Sequence, residues 1–299
     1  MPWSTGNIPD LSGKTAIVTG ANTGIGYETA LALARKKARV VLACRSRERG
    51  ERALLSIREA HPGASAGLIL VDLGSLLSVR SFAAEFRSKH DRLDLLINNA
   101  GVMIPPFART EGGLEVQIGV NHFGHFALTG LLNHLLAASP GSRVVVVSSL
   151  AHRQGRIDFE NLQGERPYKP WREYGQSKLA NLVFAIELQR RLERAGQETV
   201  AIAAHPGFTE TDLQRHSRLL GFGVKLWSNN AAQGALPTLY AATEEAAEPG
   251  GYYGPHGFYE AKGFPAPARV KAKARDRRTA ARLWEVSEEV TGVRFLSSE

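Results

Sequence analysis

Apolar residues fall in short runs along the first two thirds of the chain, separated by stretches with a helical repeat. Thr15-Ala16-Ile17-Val18 is a β-branched run closed by glycines, and a helical stretch follows to about residue 37. Runs at 39–44, 67–72, 93–98, 143–148 and 199–205 have the same strand-like character. Helical stretches at 48–60, 75–89, 113–138 and 171–195 lie between them. Within 75–89, Val79, Phe82, Ala83 and Phe86 recur at i, i+3, i+4 and i+7, the spacing of a single buried stripe. The strand runs are apolar throughout instead of alternating, as in strands covered on both faces.

Strands of this kind alternating with helices predict an α/β fold with a parallel sheet between two helical layers. Right-handed crossovers make it a Rossmann-like doubly wound sheet, a three-layer αβα single domain over 1–299. Ligands bind such sheets at the carboxyl ends of the strands, so a motif matters when it directly follows a strand. Two stretches break the alternation. Residues 150–172 read as a polar loop. Residues 208–228, with Leu213, Leu219, Phe222, Leu226 and Trp227, read either as a lid or as an amphipathic helix packed on the core. Residues 265–299 read as a basic tail whose dense run, 269–282, is exposed and partly helical.

The first strand is followed by Gly20, Asn22, Thr23, Gly24, Ile25 and Gly26 in the spacing G-x-x-x-G-x-G. Gly20 permits a sharp turn, Gly24 removes a side chain where backbone must approach a pyrophosphate, and Gly26 lets the helix pack on the strand. The helix N-terminus then offers N–H groups and a positive dipole end to phosphate. At the end of the second strand, where an acid would bind the ribose of NAD, stand Arg45 and Ser46. A guanidinium there suits the extra phosphate of NADP(H). Arg47 and Arg49 read as solvated helix residues. Asp72-Leu73 ends the third strand, and Asp72 either accepts from an adenine amino group or caps the next helix.

Tyr174 and Lys178, four apart, share one face of the helix at 171–195. A neighbouring ammonium and a bound oxidised nicotinamide lower a phenol's pKa, which lets Tyr174 exchange a proton with a substrate oxygen. The fifth strand ends in Ser148-Ser149, either of which could hold a substrate carbonyl against the tyrosine. Asn98-Asn99-Ala100-Gly101 ends the fourth strand, where small residues let a ribose lie close. Asn121 is a poor mid-helix residue, which points to a role other than helix stability. His205-Pro206-Gly207 ends the sixth strand, with Thr209 and Thr211 beyond it as candidates to hold a nicotinamide carboxamide.

Net charge is +8, but the basic residues are dispersed and no nucleic-acid recognition motif is present. An anionic cofactor and a solvated surface account for the charge. The single cysteine, Cys44, excludes an internal disulfide and reads as a small buried strand residue. No metal-ligand spacing occurs. The N-terminus lacks the pattern of a signal peptide, and no apolar run approaches the roughly 18 residues of a membrane span. A soluble cytoplasmic protein is expected.

The motifs TGANTGIG at 19–26, DL at 72–73, NNAG at 98–101, VNHFGHF at 120–126, VVVVSS at 144–149, YGQSK at 174–178 and HPG at 205–207 together resemble the short-chain dehydrogenase/reductase superfamily. The segments ACRS at 43–46, SSLAH at 148–152, YGQSKLANLVFA at 174–185 and RLWEVSEEVTG at 282–292 are similar to its retinol dehydrogenase-like and WW-domain oxidoreductase-like branch. The resemblance implies NADP(H) as cofactor, hydride exchange at C4 of the nicotinamide, and a catalytic group of Asn121, Ser149, Tyr174 and Lys178. It selects Ser149 over Ser148 and gives Asn121 a part in a proton relay through Lys178 and water. Cofactor contacts fall to Tyr174 and Lys178 as well as the cradle residues. The substrate expected is a hydrophobic carbonyl or alcohol. The long helices at 113–138 and 171–195 resemble those that pair copies in this superfamily, so a homo-oligomer, dimer or tetramer, is expected. A non-catalytic NADP(H) sensor would retain the cradle with a damaged tyrosine, lysine or serine, and all three are intact. A protochlorophyllide reductase would need a substrate-side cysteine, and Cys44 lies on the cofactor side. An epimerase would use the same tyrosine and lysine.

Overall fold

A computed structural model describes residues 2–208 and 229–296. The strands are β1 (Thr15–Thr19), β2 (Arg39–Cys44), β3 (Ala66–Leu70), β4 (Leu95–Asn98), β5 (Arg143–Val147), β6 (Val200–Ala204), β7 (Tyr252–Pro255) and β8 (Pro265–Pro267). They form one sheet in the order β3-β2-β1-β4-β5-β6-β7-β8, parallel except for β8. The chain leaves β1 towards β2 on one side and returns on the other side at β4. The ends of β1 and β4 therefore flank the crevice where a doubly wound sheet binds its ligand.

Successive side chains on each strand enter opposite layers. Val144 and Val146 of β5 join a core with α3 (Leu76–Lys89), α5 (Gly124–Ala137) and α6 (Pro170–Arg194). Val145 joins the other core, with α1 (Gly24–Arg35), α2 (Arg47–Ala60) and α7 (Ala231–Thr243). Burial on both faces explains why the strand runs show no alternation. The result is the expected Rossmann-like three-layer arrangement, a single α/β domain. Cys44 is buried at the end of β2, where burial raises its thiol to about 11.

Three features differ from the sequence expectation. First, residues 113–138 are not one continuous helix. A single turn, α4 (Val116–Ile118), is started by the Glu115 carboxylate, which accepts from the N–H groups of Gln117 and Ile118. A π-helical turn, Gly119–Phe123, then precedes α5 and contains Asn121. Second, α7, β7 and β8 extend the sheet and its covering layer where no element was expected. Third, the residues after 265 are more than a tail. The basic run is exposed, but α8 (Arg277–Thr291) buries Ala280, Leu283, Trp284 and Ser287.

Trp284 lies 5.0 Å from Phe126 of α5, 5.9 Å from Phe184 of α6 and 4.8 Å from Phe295, measured between ring centroids. The Arg191 guanidinium sits 4.3 Å over the Trp284 ring. The outer faces of α5 and α6, expected to pair copies, are thus covered by the chain's own C-terminal segment. No helix among the described residues is long and apolar enough to cross a membrane. Residues 209–228, including Thr209, Thr211 and the stretch read as lid or core helix, lie outside the described residues.

Candidate functional site

The first βα turn is a tight cradle. Gly20 has φ +68°, and Gly24, at the start of α1, has φ +57°. A Cβ at Gly26 would overlap the Gly20 carbonyl oxygen and lie 2.5 Å from Asn99 Nδ2, so only glycine lets α1 begin this close to the turn. Asn22 and Thr23 lead into the helix, and Ile25 is buried under it. Asn99 closes the cradle from β4, its Nδ2 donating to the Thr19 carbonyl at 2.7 Å. The N–H groups of Asn99 and Ala100 both donate to Thr19 Oγ1 at 2.9 Å. A crowded turn with exposed backbone at a helix N-terminus fits the pyrophosphate of a dinucleotide.

Arg45 follows β2 with its side chain 66% exposed, and its nearest acid is Asp72, 3.9 Å away. Among the described residues no closer partner holds its guanidinium. Ser46 Oγ accepts from the Arg49 N–H as the N-cap of α2. Arg47 pairs with Glu51 at 3.5 Å on the helix surface, as a solvated residue would. Asp72 does not cap α3. Ser75 does that, and Asp72 Oδ1 instead accepts from the Gly74 N–H at 2.9 Å. Leu73 is a core residue.

Tyr174, Lys178, Ser149 and Asn121 come together at the carboxyl edge of β5. Lys178 Nζ donates to the Val147 carbonyl at 3.1 Å and lies 5.8 Å from the centre of the Tyr174 ring. The Ser149 hydroxyl faces Tyr174 closely enough to favour its phenolate. Ser149 Oγ also accepts from the Ala151 N–H at 3.2 Å, which leaves its own hydrogen free to donate. Ser148 is disposed quite differently. Its hydroxyl donates to the Lys178 carbonyl at 2.7 Å and is buried, clamping α6 to the strand. The two serines that the residues alone leave equivalent are separated by this contact.

Asn121 uses its whole side chain. Nδ2 donates to the Val102 carbonyl at 3.0 Å and to Ser177 Oγ at 2.9 Å, and Oδ1 accepts from the Val102 N–H at 2.7 Å. A Cβ on Gly101 would stand 3.1 Å from Asn121 Oδ1 and 3.4 Å from Lys178 Nζ, so Gly101 is the spacer between cradle and lysine. His125, which the sequence did not flag, links the same parts. Its Nδ1–H donates to the Asn121 carbonyl at 2.9 Å, so its Nε2, 2.9 Å from Thr19 Oγ1, accepts. Burial lowers His125 to about 4 and keeps it neutral. It stands inside the VNHFGHF motif at 120–126, but nothing in the spacing separates it from His122 or gives it a role.

The electrostatics differ in sign from expectation. Burial raises the Tyr174 phenol to about 12, against the smaller opposing effect of the nearby Ser149 hydroxyl. Burial likewise lowers the Lys178 ammonium to about 8. Both groups are desolvated, and desolvation disfavours whichever form is charged. In the protein alone this outweighs the attraction between phenolate and ammonium that the i, i+4 spacing suggests.

Pro206 and Gly207 follow β6 at the same edge of the sheet. Gly207 has φ +71°, and a Cβ there would overlap the Ala261 carbonyl oxygen. No group of three or more His, Cys, Asp or Glu able to hold a metal ion occurs among the described residues.

The fold is that of the Rossmann-like α/β class. The family model for short chain dehydrogenase matches residues 14–219. Retinol dehydrogenase 12 of Homo sapiens is 43% identical over 289 residues, which cover 95% of this chain and 88% of that protein. Dehydrogenase/reductase SDR family member 13 of Bos taurus is 45% identical over 297 residues, 96% of this chain and 75% of that protein. A crystal structure of an uncharacterized protein from Mycobacterium paratuberculosis superposes with a TM-score of 0.84 at 40% identity, covering 99% of each chain. The chain belongs to the short-chain dehydrogenase/reductase family of oxidoreductases, and within it is retinol dehydrogenase-like.

Proposed function

We propose that this chain interconverts a hydrophobic alcohol and its carbonyl with NADP(H), using Tyr174 as general acid and base. The observation that carries the reading is the convergence of buried Tyr174 and Lys178 at the end of β5, with Lys178 Nζ 5.8 Å from the Tyr174 ring and facing Asn121 across Gly101, beside the cradle. When bound, the nicotinamide gives or takes the hydride at the substrate carbon. Ser149, with its lone pair committed to the Ala151 N–H, donates its hydrogen to the substrate oxygen. Tyr174, raised to about 12, rests as the phenol and is ready to donate a proton to a carbonyl oxygen as hydride arrives. In oxidation, Tyr174 would first lose its own proton to solvent, the Lys178 ammonium would stabilise the phenolate so formed, and that phenolate would take the alcohol proton as hydride leaves. Asn121 holds the Val102 backbone and Ser177, and so fixes the floor on which Lys178 stands.

Arg45 supports NADP(H) over NAD(H), being an exposed cation at the strand end that meets the ribose, paired only at 3.9 Å with the half-exposed Asp72 carboxylate. Trp171 supports an apolar substrate. It is 55% exposed, and its ring lies 6.3 Å from that of Tyr174, an open aromatic wall beside the proton donor.

The test is a panel of apolar aldehydes, ketones and alcohols followed by NADPH absorbance, with NADPH binding measured separately by fluorescence. Tyr174→Phe removes one oxygen, so cofactor binding should persist while turnover falls by roughly 10²–10⁴-fold. A folded Tyr174→Phe variant with wild-type turnover would refute the assignment.

A further inference from the structure

Outside the motifs, one carboxylate gathers contacts from three separate segments behind the site. Glu260 ends a short helical turn, Phe258–Glu260, between β7 and β8. Tyr259 and Glu260 have φ +52° and +60°, two consecutive non-glycine residues in the left-handed region. Side chains other than glycine stay there only when their surroundings hold them, and such strain collects at functional sites. The Glu260 side chain is 14% exposed, and its oxygens are engaged on both sides. Oε2 meets the Arg153 guanidinium at 2.6 Å and accepts from His205 Nε2–H at 3.1 Å. Oε1 accepts from the Arg269 N–H at 3.1 Å.

Two of these partners belong to the site. Arg153 closes the 3₁₀ turn Leu150–Arg153, of which Ser149 is the N-cap. His205 directly precedes Pro206 and Gly207, and is fully buried. Its Nδ1 accepts from the Gly207 N–H at 3.2 Å, so its single proton is fixed on Nε2 and points at Glu260. The same hairpin also meets the loop through backbone, because the Phe208 N–H donates to the Ala261 carbonyl at 2.9 Å. One carboxylate therefore fastens the turn that carries Ser149 to the loop that carries Pro206 and Gly207.

We propose that Glu260 is a positioning residue: through Arg153 it sets the Ser149 turn, and through His205 the 206–207 loop, each against the other. Arg153 supplies the balancing charge, and neutral His205 supplies direction. The inference rests on the catalytic reading above and adds to it a connection between substrate oxygen and cofactor loop that no motif marks. A plain staple for the hairpin would make the same contacts, but it predicts lost stability with turnover per folded molecule intact.

The two arms can be cut separately. Arg153→Met removes the link to the Ser149 turn and leaves Glu260 bonded to His205. It should lower kcat about tenfold or more and leave NADPH affinity within twofold. His205→Gln breaks the directed contact to the 206–207 loop and should weaken NADPH binding about tenfold, read by fluorescence without turnover. Glu260→Ala should show both defects with the circular dichroism of a folded protein. Should Glu260→Ala fail to fold, the two single-arm variants decide. A folded Arg153→Met with wild-type kcat, or a folded Glu260→Ala with wild-type kcat and NADPH affinity, overturns the proposal. Tyr174→Phe is assayed beside them. Were it as active as wild type, the catalytic reading itself would fail, and that result is distinct from intact turnover in the Glu260 and Arg153 variants alone.

Discussion

On the proposed role of Arg45, replacing it with alanine should lower the efficiency with NADPH while leaving NADH almost untouched. The guanidinium follows β2 and is two-thirds exposed, with Asp72 Oδ2 3.9 Å away as its nearest acid. An exposed pair at that distance is worth about 0–1 kcal/mol, so little has to be given up before Arg45 turns to a 2′-phosphate. A hydrogen bond to a charged group contributes about 1.5–3 kcal/mol. Subtracting the lost pair and allowing for exposure leaves about 1–2 kcal/mol. At 1.4 kcal/mol per tenfold, that is about a 5- to 30-fold loss of kcat/KM for NADPH alone. The effect should shrink as salt rises from 0.05 to 0.5 M, both values being rough choices to span the Debye length. Asp72→Asn should move the other way. It removes the competing charge, and an amide oxygen can still accept from the Gly74 N–H. The assay is kcat/KM with NADPH and NADH on one carbonyl substrate, for wild type and both variants. Equal efficiency with the two cofactors in the wild type, or an equal loss of both in Arg45→Ala, would refute the reasoning.

Lys178→Met should abolish turnover yet leave the melting temperature at pH 7 equal to or above that of the wild type. Burial holds the ammonium down to about 8, so the unfolded chain binds the extra proton between about 8 and its ordinary 10.5. Wild-type stability should accordingly rise with pH across that window, the burial cost being fully present below it. The Val147 carbonyl keeps a donor in the variant, from Asn181 Nδ2 at 3.1 Å, so a clear drop in stability at pH 7 would contradict this account. Ser149→Ala should lose about 10²-fold in turnover, whereas Ser148→Ala should lose about 1–2 kcal/mol of stability, measured in urea, and only a few-fold in turnover. The reverse pattern would exchange their roles. Trp284→Ala removes a ring in contact with Phe126, Phe184, Phe295 and Arg191, and should cost about 3–5 kcal/mol by chemical denaturation. A cost below about 1 kcal/mol would show that α8 is only loosely seated.

The six parallel strands could be read in the sequence because burial on both faces writes itself as an unbroken apolar run. The cradle and the Tyr174–Lys178 pair could be read because phosphate approach and i, i+4 geometry each demand fixed residue types at fixed spacing. Other features were illegible for definite reasons. Five residues are too few for a hydrophobic repeat to separate a π turn from an α turn, so the only trace of that turn was Asn121 in a place where asparagine does not help a helix. β8 is Pro265-Ala266-Pro267, which no propensity marks as strand, and it exists because β7 offers it an edge. The stripe Ala280, Leu283, Trp284 and Ser287 was present at helical spacing, but it stands beside a basic run that drew the reading towards solvent. The sign of the Tyr174 shift depends on depth of burial, which a one-dimensional pattern does not carry. Glu260 and Arg153 meet across more than a hundred residues of chain, a contact visible only once the sheet is assembled.

The seating of α8 also bears on the order in which the molecule can be completed. Synthesis proceeds from the N-terminus, so α5 and α6 are made while the residues that cover Phe126 and Phe184 are still to come. Until Trp284 and Phe295 arrive, the helix bearing Tyr174 and Lys178 has an open aromatic flank, and the nascent chain is sticky where the finished one is closed. A chain stopped before residue 277 should keep the superfamily motifs, which end at 207, and yet accumulate as aggregate or chaperone complex. On this account the residues from 277 onward decide whether the helix bearing Tyr174 and Lys178 is ever closed on its outer flank, which is a reason to leave them intact when the gene is shortened or fused.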